Sequence, residues 1–229
     1  MQDQRAELEW REDRIPVSTR FDDPYFSLEN GLAETGHVFL AGNDLPARFR
    51  DGFHVAELGF GTGLNLLAAL QMWRASGVAG KLHFTTFEAF PMTPAEMIRA
   101  QAAFPEIADV AADLEPHWSD DLHRISLPDL EFEMVRGDAR ETLPLWQGRA
   151  DAWFLDGFSP AKNPELWSPE LMWAVGAHTA PDGTAATYTA AGFVRRGLTD
   201  AGFTVERIPG YGRKRHMTVA RMSGPAAQG

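Results

Sequence analysis

Residues 53–76, FHVAELGFGTGLNLLAALQMWRAS, constrain the fold more than any other stretch of the chain. An apolar run of strand length carries Glu57 near its end, Gly59, Gly61 and Gly63 follow, and a helical pattern begins at Leu64. Leu66, Leu67, Leu70 and Trp73 recur at the spacing that places them on one helix face. A strand that turns this tightly into a helix opens a βαβ unit. Glycine permits the turn and lets a ligand lie against backbone where a Cβ would intrude. The alternation then continues, predicting strands over 82–90, 132–139, 151–158 and 183–189 and helices over 94–104, 168–180 and 191–201. Pro94 suits a first helical turn, and Ser168 followed by Pro169 reads as a cap and its first position. The ending FTVERIPGYGRKRHMTVARM reads as two strands joined by a loop, an antiparallel hairpin that closes the sheet. The expected class is α/β, with a Rossmann-like, doubly wound, seven-stranded and mostly parallel sheet over 51–229. Residues 1–50 are loop-rich, with turn signals at Asp23-Pro24, Asn30-Gly31 and Gly42-Asn43-Asp44, and are expected to form an appendage packing on that core.

Composition narrows the function. The 229 residues are 44% hydrophobic, enough for one sizeable core. They contain no apolar stretch of membrane-spanning length, and the charged N-terminus has no signal-peptide apolar segment, so a cytoplasmic protein is expected. The absence of cysteine removes disulfides and thiol chemistry, and the seven histidines show no HxxxH or HxH spacing, so no metal site is expected. A net charge of −11 is the wrong sign for holding nucleic acid on a broad basic face. A local patch remains open at Arg213, Lys214 and Arg215, with Arg195 and Arg196 as a second pair; on composition alone both read as solvated surface.

The spacing of the glycines bears on the ligand. A dinucleotide fingerprint, GxGxxG, needs glycine where this chain has Leu64, which counts against a nicotinamide-dependent oxidoreductase. Instead the pattern is GxGxG preceded by an acid. Successive predicted strands end in Glu57, Glu88 and Asp138, and a fourth ends in Asp156 within DGFSP. Ligands of such sheets bind at the carboxyl ends of the strands, so the acids converge on one region. Taken singly, each reads equally as a surface acid, and Asp156 as the cap of its own turn.

GxGxG after an acid resembles the first motif of class I S-adenosylmethionine-dependent methyltransferases. That resemblance implies S-adenosyl-L-methionine as cofactor, whose ammonium and ribose hydroxyls suit carboxylates. Glu88 would accept from the ribose hydroxyls, Asp138 would lie at the adenine edge, and Phe90, Pro91 and Met92 would pack on the adenine face. The DGFSP turn is similar in place and rigidity to the acid-and-proline turn of amino-methyltransferases, which would put Asp156 beside the transferable methyl.

Five blocks carry a closer likeness: YFSLENGLAETGHVFLAGNDLPARF (25–49), ELGFGTGLN (57–65), FEAFPMTPAEM (87–97), DAWFLDGFSPAKNPELWS (151–168) and TYTAAGFVRRGLTDAGFTVERIPGYGRKRHM (187–217). Together they resemble the tRNA 5-methylaminomethyl-2-thiouridine methyltransferases. The likeness implies N-methylation of the aminomethyl group of 5-aminomethyl-2-thiouridine at the tRNA wobble position, with tRNA as partner. Asp156 would be the active-site acid, and Glu57, Gly59, Gly61, Gly63, Glu88, Met92 and Asp138 would line the cofactor site. YFSLENG would fold over the cofactor, with Tyr25 and Asn30 toward the substrate, and Lys162, Arg213, Lys214 and Arg215 would meet RNA. Bifunctional relatives continue into a flavin-dependent oxidase; no second glycine fingerprint precedes Gly229, so that activity is not expected here. Competing readings are a class I methyltransferase of a small-molecule or protein amine, and a binding module without catalysis.

Overall fold

The computed structural model describes residues 5–27 and 30–223. Residues 28 and 29 of the YFSLENG stretch fall outside the described residues. Three short strands, β1 (Leu8–Arg11), β2 (Ile15–Ser18) and β3 (Asp23–Pro24), form a small antiparallel sheet of their own. Helix α1 (Gly31–Thr35) runs on into a π-helical stretch at Gly36–Leu40. The main sheet then begins with β4 (His54–Leu58), followed by α2 (Leu64–Ser76), β5 (Leu82–Glu88), α3 (Pro94–Gln101), α4 (Ala108–Leu114), β6 (Arg124–Ser126) and β7 (Leu130–Arg136). It continues through α5 (Ala139–Thr142), β8 (Ala150–Leu155), α6 (Pro169–Ala177), β9 (Thr179–Thr187), α7 (Gly192–Asp200), β10 (Phe203–Pro209) and β11 (His216–Met222).

The strand order is β10-β11-β9-β8-β4-β5-β7-β6. Pairings among β9, β8, β4, β5 and β7 are parallel, and β11 lies antiparallel between β9 and β10, as the terminal hairpin requires. The sheet thus has the seven expected strands and an eighth, β6, added antiparallel to β7 at the edge. From β4 the chain winds outward through β5 and β7, then returns to lay β8 on the other side of β4. That reversal leaves a crevice over the carboxyl ends of β4 and β8, where sheets of this kind bind ligands.

Each face of the sheet carries its own core. Phe84, Phe132 and Phe154 pack with Leu66, Leu67, Leu70 and Trp73 of α2 on one side. Trp153 and Leu155 pack with Leu171, Met172 and Val175 of α6 and Val194 and Leu198 of α7 on the other. Because both faces of β8 are covered, ADAWFL is buried throughout, which is why it reads as a continuous apolar run. The first fifty residues reach this core. Val38, Phe39, Leu40, Leu45 and Phe49 join the α2 side, and buried Asn43 donates from Nδ2 to the carbonyls of Phe39 and Trp153. No helix among the described residues is long and apolar enough to cross a membrane.

Several boundaries move. β7 stops at Arg136 because Gly137 adopts φ +127°, so Asp138 lies beyond the strand as the N-cap of α5. β8 ends at Leu155, placing Asp156 one residue past the sheet. Glu57 sits one residue before the end of β4, inside the ladder, paired with Thr86 of β5 and Phe154 of β8.

Candidate active site at the carboxyl ends of the strands

A cavity of about 560 Å³ opens over the ends of β4, β5, β7 and β8. Gly59, Gly61, Glu88, Asp138 and Asp156 line it from the sheet, and Phe21, Tyr25 and Glu34 from the first fifty residues. The glycine turn takes backbone conformations that disfavour other residues: φ is +83° at Gly59, +55° at Gly61 and +76° at Gly63. A Cβ on Gly59 would stand 3.4 Å from Gly157 Cα, and one on Gly61 3.0 Å from Tyr25 Cδ1. Gly63 starts α2 and lies against Phe60, and it is not part of the cavity wall.

Glu88, the last residue of β5, organises both neighbouring loops. Its Oε2 accepts from the backbone N–H of Phe60 at 2.8 Å and of Gly61 at 3.1 Å, and its Oε1 from that of Phe90 at 2.7 Å. Asp138 accepts from Arg140 N at 2.9 Å and pairs with the Arg140 guanidinium, Nη2 to Oδ2 at 2.5 Å, which holds its carboxyl below the usual range. Arg140 itself lines the cavity, as do Ala89 and Phe90. Met92 does not: it is buried among the apolar side chains of the α2 core.

Asp156, one residue past β8, is held at both carboxylate oxygens. Its Oδ1 accepts from Gly157 N at 2.7 Å and its Oδ2 from Asn65 Nδ2 at 2.8 Å. The turn that carries it is fixed from three sides. Tyr188 Oη donates to the Gly157 carbonyl at 2.7 Å, Trp167 Nε1 to that of Phe158 at 2.9 Å, and Ser159 N to Asp23 Oδ2 at 2.9 Å. Gly157 has φ +131°, and a Cβ there would meet Leu166 Cδ2 at 2.2 Å, so only glycine fits. Burial pushes the Asp156 carboxyl up to about 6, against the hydrogen bonds from Gly157 and Asn65 and the pull of Lys214. Phe158, two residues on, stacks on Phe21 at 4.6 Å and meets Tyr25 edge-on at 5.0 Å, giving the cavity an aromatic wall.

The remaining expected residues separate. Glu57 lies behind the wall, fully buried, hydrogen-bonded to Asn65 and Thr86. Lys214 lines the cavity, its Nζ 2.6 Å from Glu34 Oε1 and 4.1 Å from the centre of the Tyr188 ring, whereas Arg213 and Arg215 do not, although all three residues are exposed. Of the basic triad, Lys214 alone is on the cavity wall. Lys162 is off the cavity and donates to the Asp22 carbonyl, with Asp23 Oδ1 at 3.6 Å. Asn30 caps α1, accepting from Ala33 N at 2.8 Å, and is not on the wall. Sequence reasoning did not single out Asn65, Arg140, Glu34, Phe158 or Tyr188. Asn65 alone carried a signal, as a polar residue at the start of an apolar helix. Among the described residues no group of three or more His, Asp or Glu side chains is placed to hold a metal ion.

Comparison with known proteins places this geometry in context. The S-adenosyl-L-methionine-dependent methyltransferase family matches residues 105–223. The tRNA 5-methylaminomethyl-2-thiouridine biosynthesis bifunctional protein MnmC of Caulobacter sp. (strain K31) is 49% identical over 233 residues, covering 96% of this chain and 39% of that protein. Its counterpart in Stutzerimonas stutzeri (strain A1501) is 44% identical over 236 residues, covering 98% of this chain and 36% of that protein. The chain thus spans about two fifths of the length of these curated relatives. Among solved structures, MNMC2 from Aquifex aeolicus shares the fold with a TM-score of 0.77 at 24% identity, over 98% of this chain and 72% of that one. A methyltransferase from Pyrococcus furiosus follows with a TM-score of 0.51 at 14% identity, over 95% and 89%.

Proposed function

Since the chain belongs to the S-adenosyl-L-methionine-dependent methyltransferase family, we propose that it methylates the aminomethyl group of 5-aminomethyl-2-thiouridine at the wobble position of tRNA. The observation that carries the proposal is Asp156, a carboxylate held by two hydrogen bonds at the sheet's reversal point, on the wall of a cavity with a glycine cradle. The names of the curated relatives support the substrate.

The residues present fit the cofactor. The cradle at Gly59 and Gly61 is space that a Cβ would fill, and about 560 Å³ is ample for a ligand of this size. Glu88 would hold the ribose hydroxyls, Asp138 and Phe90 the adenine, and the glycine turn the amino-acid end. Bound there, S-adenosylmethionine supplies an electrophilic methyl group on a sulfonium centre.

The chain's own residues have to present a free amine. An amine with a pKa of about 10.4 is neutral in fewer than about one molecule in a thousand at pH 7. Asp156, with its carboxyl at about 6, is mostly ionised at pH 7 yet more basic than an ordinary carboxylate, so it can orient the amine and accept its proton. A carboxylate also stabilises ammonium, which opposes deprotonation; orientation is therefore the larger part of its role. Phe21, Tyr25 and Phe158 exclude water and offer aromatic faces to a base turned out of its stack.

Below about pH 6, where Asp156 takes up a proton, kcat/KM for the tRNA is expected to fall by a further factor of about ten per pH unit. A profile without that extra acid limb separates Asp156 from the rate. For RNA binding, the exposed Arg213 and Arg215 carry the proposal and Lys214 does not. The double variant Arg213→Ala/Arg215→Ala should weaken tRNA binding and reduce the slope of log Kd against log salt by up to about two. An unchanged slope removes that patch.

The decisive experiment is labelled methyl transfer to tRNA from cells lacking the modification, followed by nucleoside analysis. Label in the 5-methylaminomethyl nucleoside is expected; label in another nucleoside, or none, contradicts the proposal. The net charge of −11 favours a second reading, a small-molecule amine as acceptor. It predicts methylation of free 5-aminomethyluridine with none of the tRNA.

A further inference from the structure

A row of hydrogen bonds runs from the interior to the reacting carboxylate and has no part in the roles given above. Thr86 Oγ1 on β5 lies 2.8 Å from Glu57 Oε2 on β4. Glu57 Oε1 accepts from Asn65 Nδ2, on the first turn of α2, at 2.9 Å. The same Nδ2 donates to Asp156 Oδ2 at 2.8 Å, and Asn65 Oδ1 accepts from Thr35 Oγ1 on α1 at 2.8 Å. Thr86, Glu57, Asn65 and Thr35 are all buried.

An asparagine amide has two hydrogens to give and one oxygen to receive. Here both hydrogens go to carboxylates and the oxygen takes a hydroxyl, so only one orientation of the side chain satisfies its neighbours. Asp156 in turn is fixed at both oxygens, by Gly157 N–H at one and Asn65 at the other, which sets the plane of the carboxylate. Removing the Asn65 bond leaves that plane free to rotate about the side-chain torsion. We propose that Asn65 is a positioning residue for Asp156, held in its one productive orientation by Glu57 and Thr86 from the sheet and by Thr35 from the first fifty residues. This rests on the reading of Asp156 as the acid that meets the amine.

The charges around the pair give the proposal a distinctive signature. Burial holds the Glu57 carboxyl well above the usual carboxylate range, and Asp156 and Glu88 push it the same way. Asp156 faces Lys214 from the β10–β11 loop, which lowers its carboxyl, Glu34 from α1, which raises it, and Asn65 from α2, whose bond lowers it; Tyr188 after β9 stands nearby. Losing the Asn65 bond therefore raises Asp156 further and moves the acid limb of kcat/KM upward. A residue that served only to keep the protein folded would lower activity equally at every pH and leave the limb in place.

The test compares Asn65→Ala, Thr35→Val, Glu57→Gln and Asp156→Asn in the full chain, with S-adenosylmethionine and tRNA carrying the aminomethyl group. Asn65→Ala is expected to lower kcat by about 10- to 100-fold, with KM for S-adenosylmethionine within about threefold. Its acid limb should move up by about half to one pH unit. Glu57→Gln keeps an acceptor for Asn65 and a polar partner for Thr86, so its loss of kcat should be smaller than that of Asn65→Ala; a loss as large as that of Asn65→Ala would show that Glu57 holds Asn65 by charge rather than by the hydrogen bond. Should Asn65→Ala fail to fold, Thr35→Val is read instead and must shift the limb in the same direction. A limb at the wild-type position in the folded variant overturns the positioning role. If Asp156→Asn is inactive while Asn65→Ala matches wild type, the positioning role alone falls; if Asp156→Asn is itself fully active, the reading of Asp156 falls with it.

Discussion

Asp156→Asn is expected to lower methyl transfer by about 10²- to 10⁴-fold while leaving the affinity for S-adenosylmethionine within about tenfold. The substitution keeps the size of the side chain and an acceptor for Gly157 N–H, so the turn at residues 157–159 retains its other supports in Tyr188, Trp167 and Asp23. What it removes is the negative charge and the basic lone pair at the end of β8. The cofactor contacts proposed for Glu88 and the glycine turn are untouched, which is why binding and turnover should part. The same variant carries a stability prediction of opposite sign. The Asp156 carboxyl rises from 3.8 to about 6 on folding, so the folded chain binds this proton more tightly, and stability falls as the pH rises through that window. At pH 7 the cost is on the order of 3 kcal/mol, since a tenfold change in proton affinity corresponds to about 1.4 kcal/mol. Asparagine avoids it but sets an amide where Asn65 wants an acceptor, returning about 1 kcal/mol. A net gain of about 1–2 kcal/mol should raise Tm by several degrees at pH 7. The gain should vanish below about pH 4, where both forms are neutral. An inactive, stabilised variant is the mark of a group kept for function at the expense of stability. Turnover near the wild-type value would remove Asp156 from the mechanism.

The second large effect is expected at Glu88. Glu88→Ala should weaken S-adenosylmethionine binding by about 100-fold or more, measured by titration calorimetry, because hydrogen bonds to a charged group contribute about 1.5–3 kcal/mol each. Two losses combine. The ribose hydroxyls lose their proposed acceptor, and the N–H groups of Phe60, Gly61 and Phe90 lose the carboxylate that ties the glycine turn to the loop after β5. Glu88→Gln separates the two: it keeps an acceptor but no charge, and its loss should fall between wild type and alanine. Affinity within about threefold of wild type in a folded Glu88→Ala protein would show that the cofactor is held elsewhere.

Much of the scaffold was legible because its signals are local. Helix α2 spans the predicted Leu64–Ser76 because Gly63 and Gly77, both left-handed, bracket an unbroken apolar pattern. The strands of the doubly covered sheet announced themselves as apolar runs, but their ends were overrun: β7 and β8 stop short of Gly137 and Gly157, and β5 and β9 each end two residues before the predicted limit, at Glu88 and Thr187. β6, at three residues, is too short to show alternation, and α4 is a seven-residue helix hemmed by 3-10 turns that begin at Pro105 and Glu115. The rule that strand-end acids share a cavity brought Glu88, Asp138 and Asp156 together. It misplaced Glu57 by a single residue: a side chain inside the ladder of a central strand points into a packed face, whereas one at or past the strand end reaches the crevice. Met92, read beside the adenine, is held by the core instead. Glu34, Tyr188 and Lys214 meet at the cavity from α1, the end of β9 and the β10–β11 loop, and no spacing in the sequence encodes an approach across that distance.

The central claim is that the strand ends hold the cofactor with its reactive sulfur toward Asp156, and a crystal structure of the chain with S-adenosylhomocysteine at saturating concentration tests it most directly. The nucleoside is expected over the glycine turn, its ribose hydroxyls hydrogen-bonded to Glu88, and the sulfur open toward Asp156. A ligand seated elsewhere, or one whose sulfur faces away from Asp156, would contradict the claim.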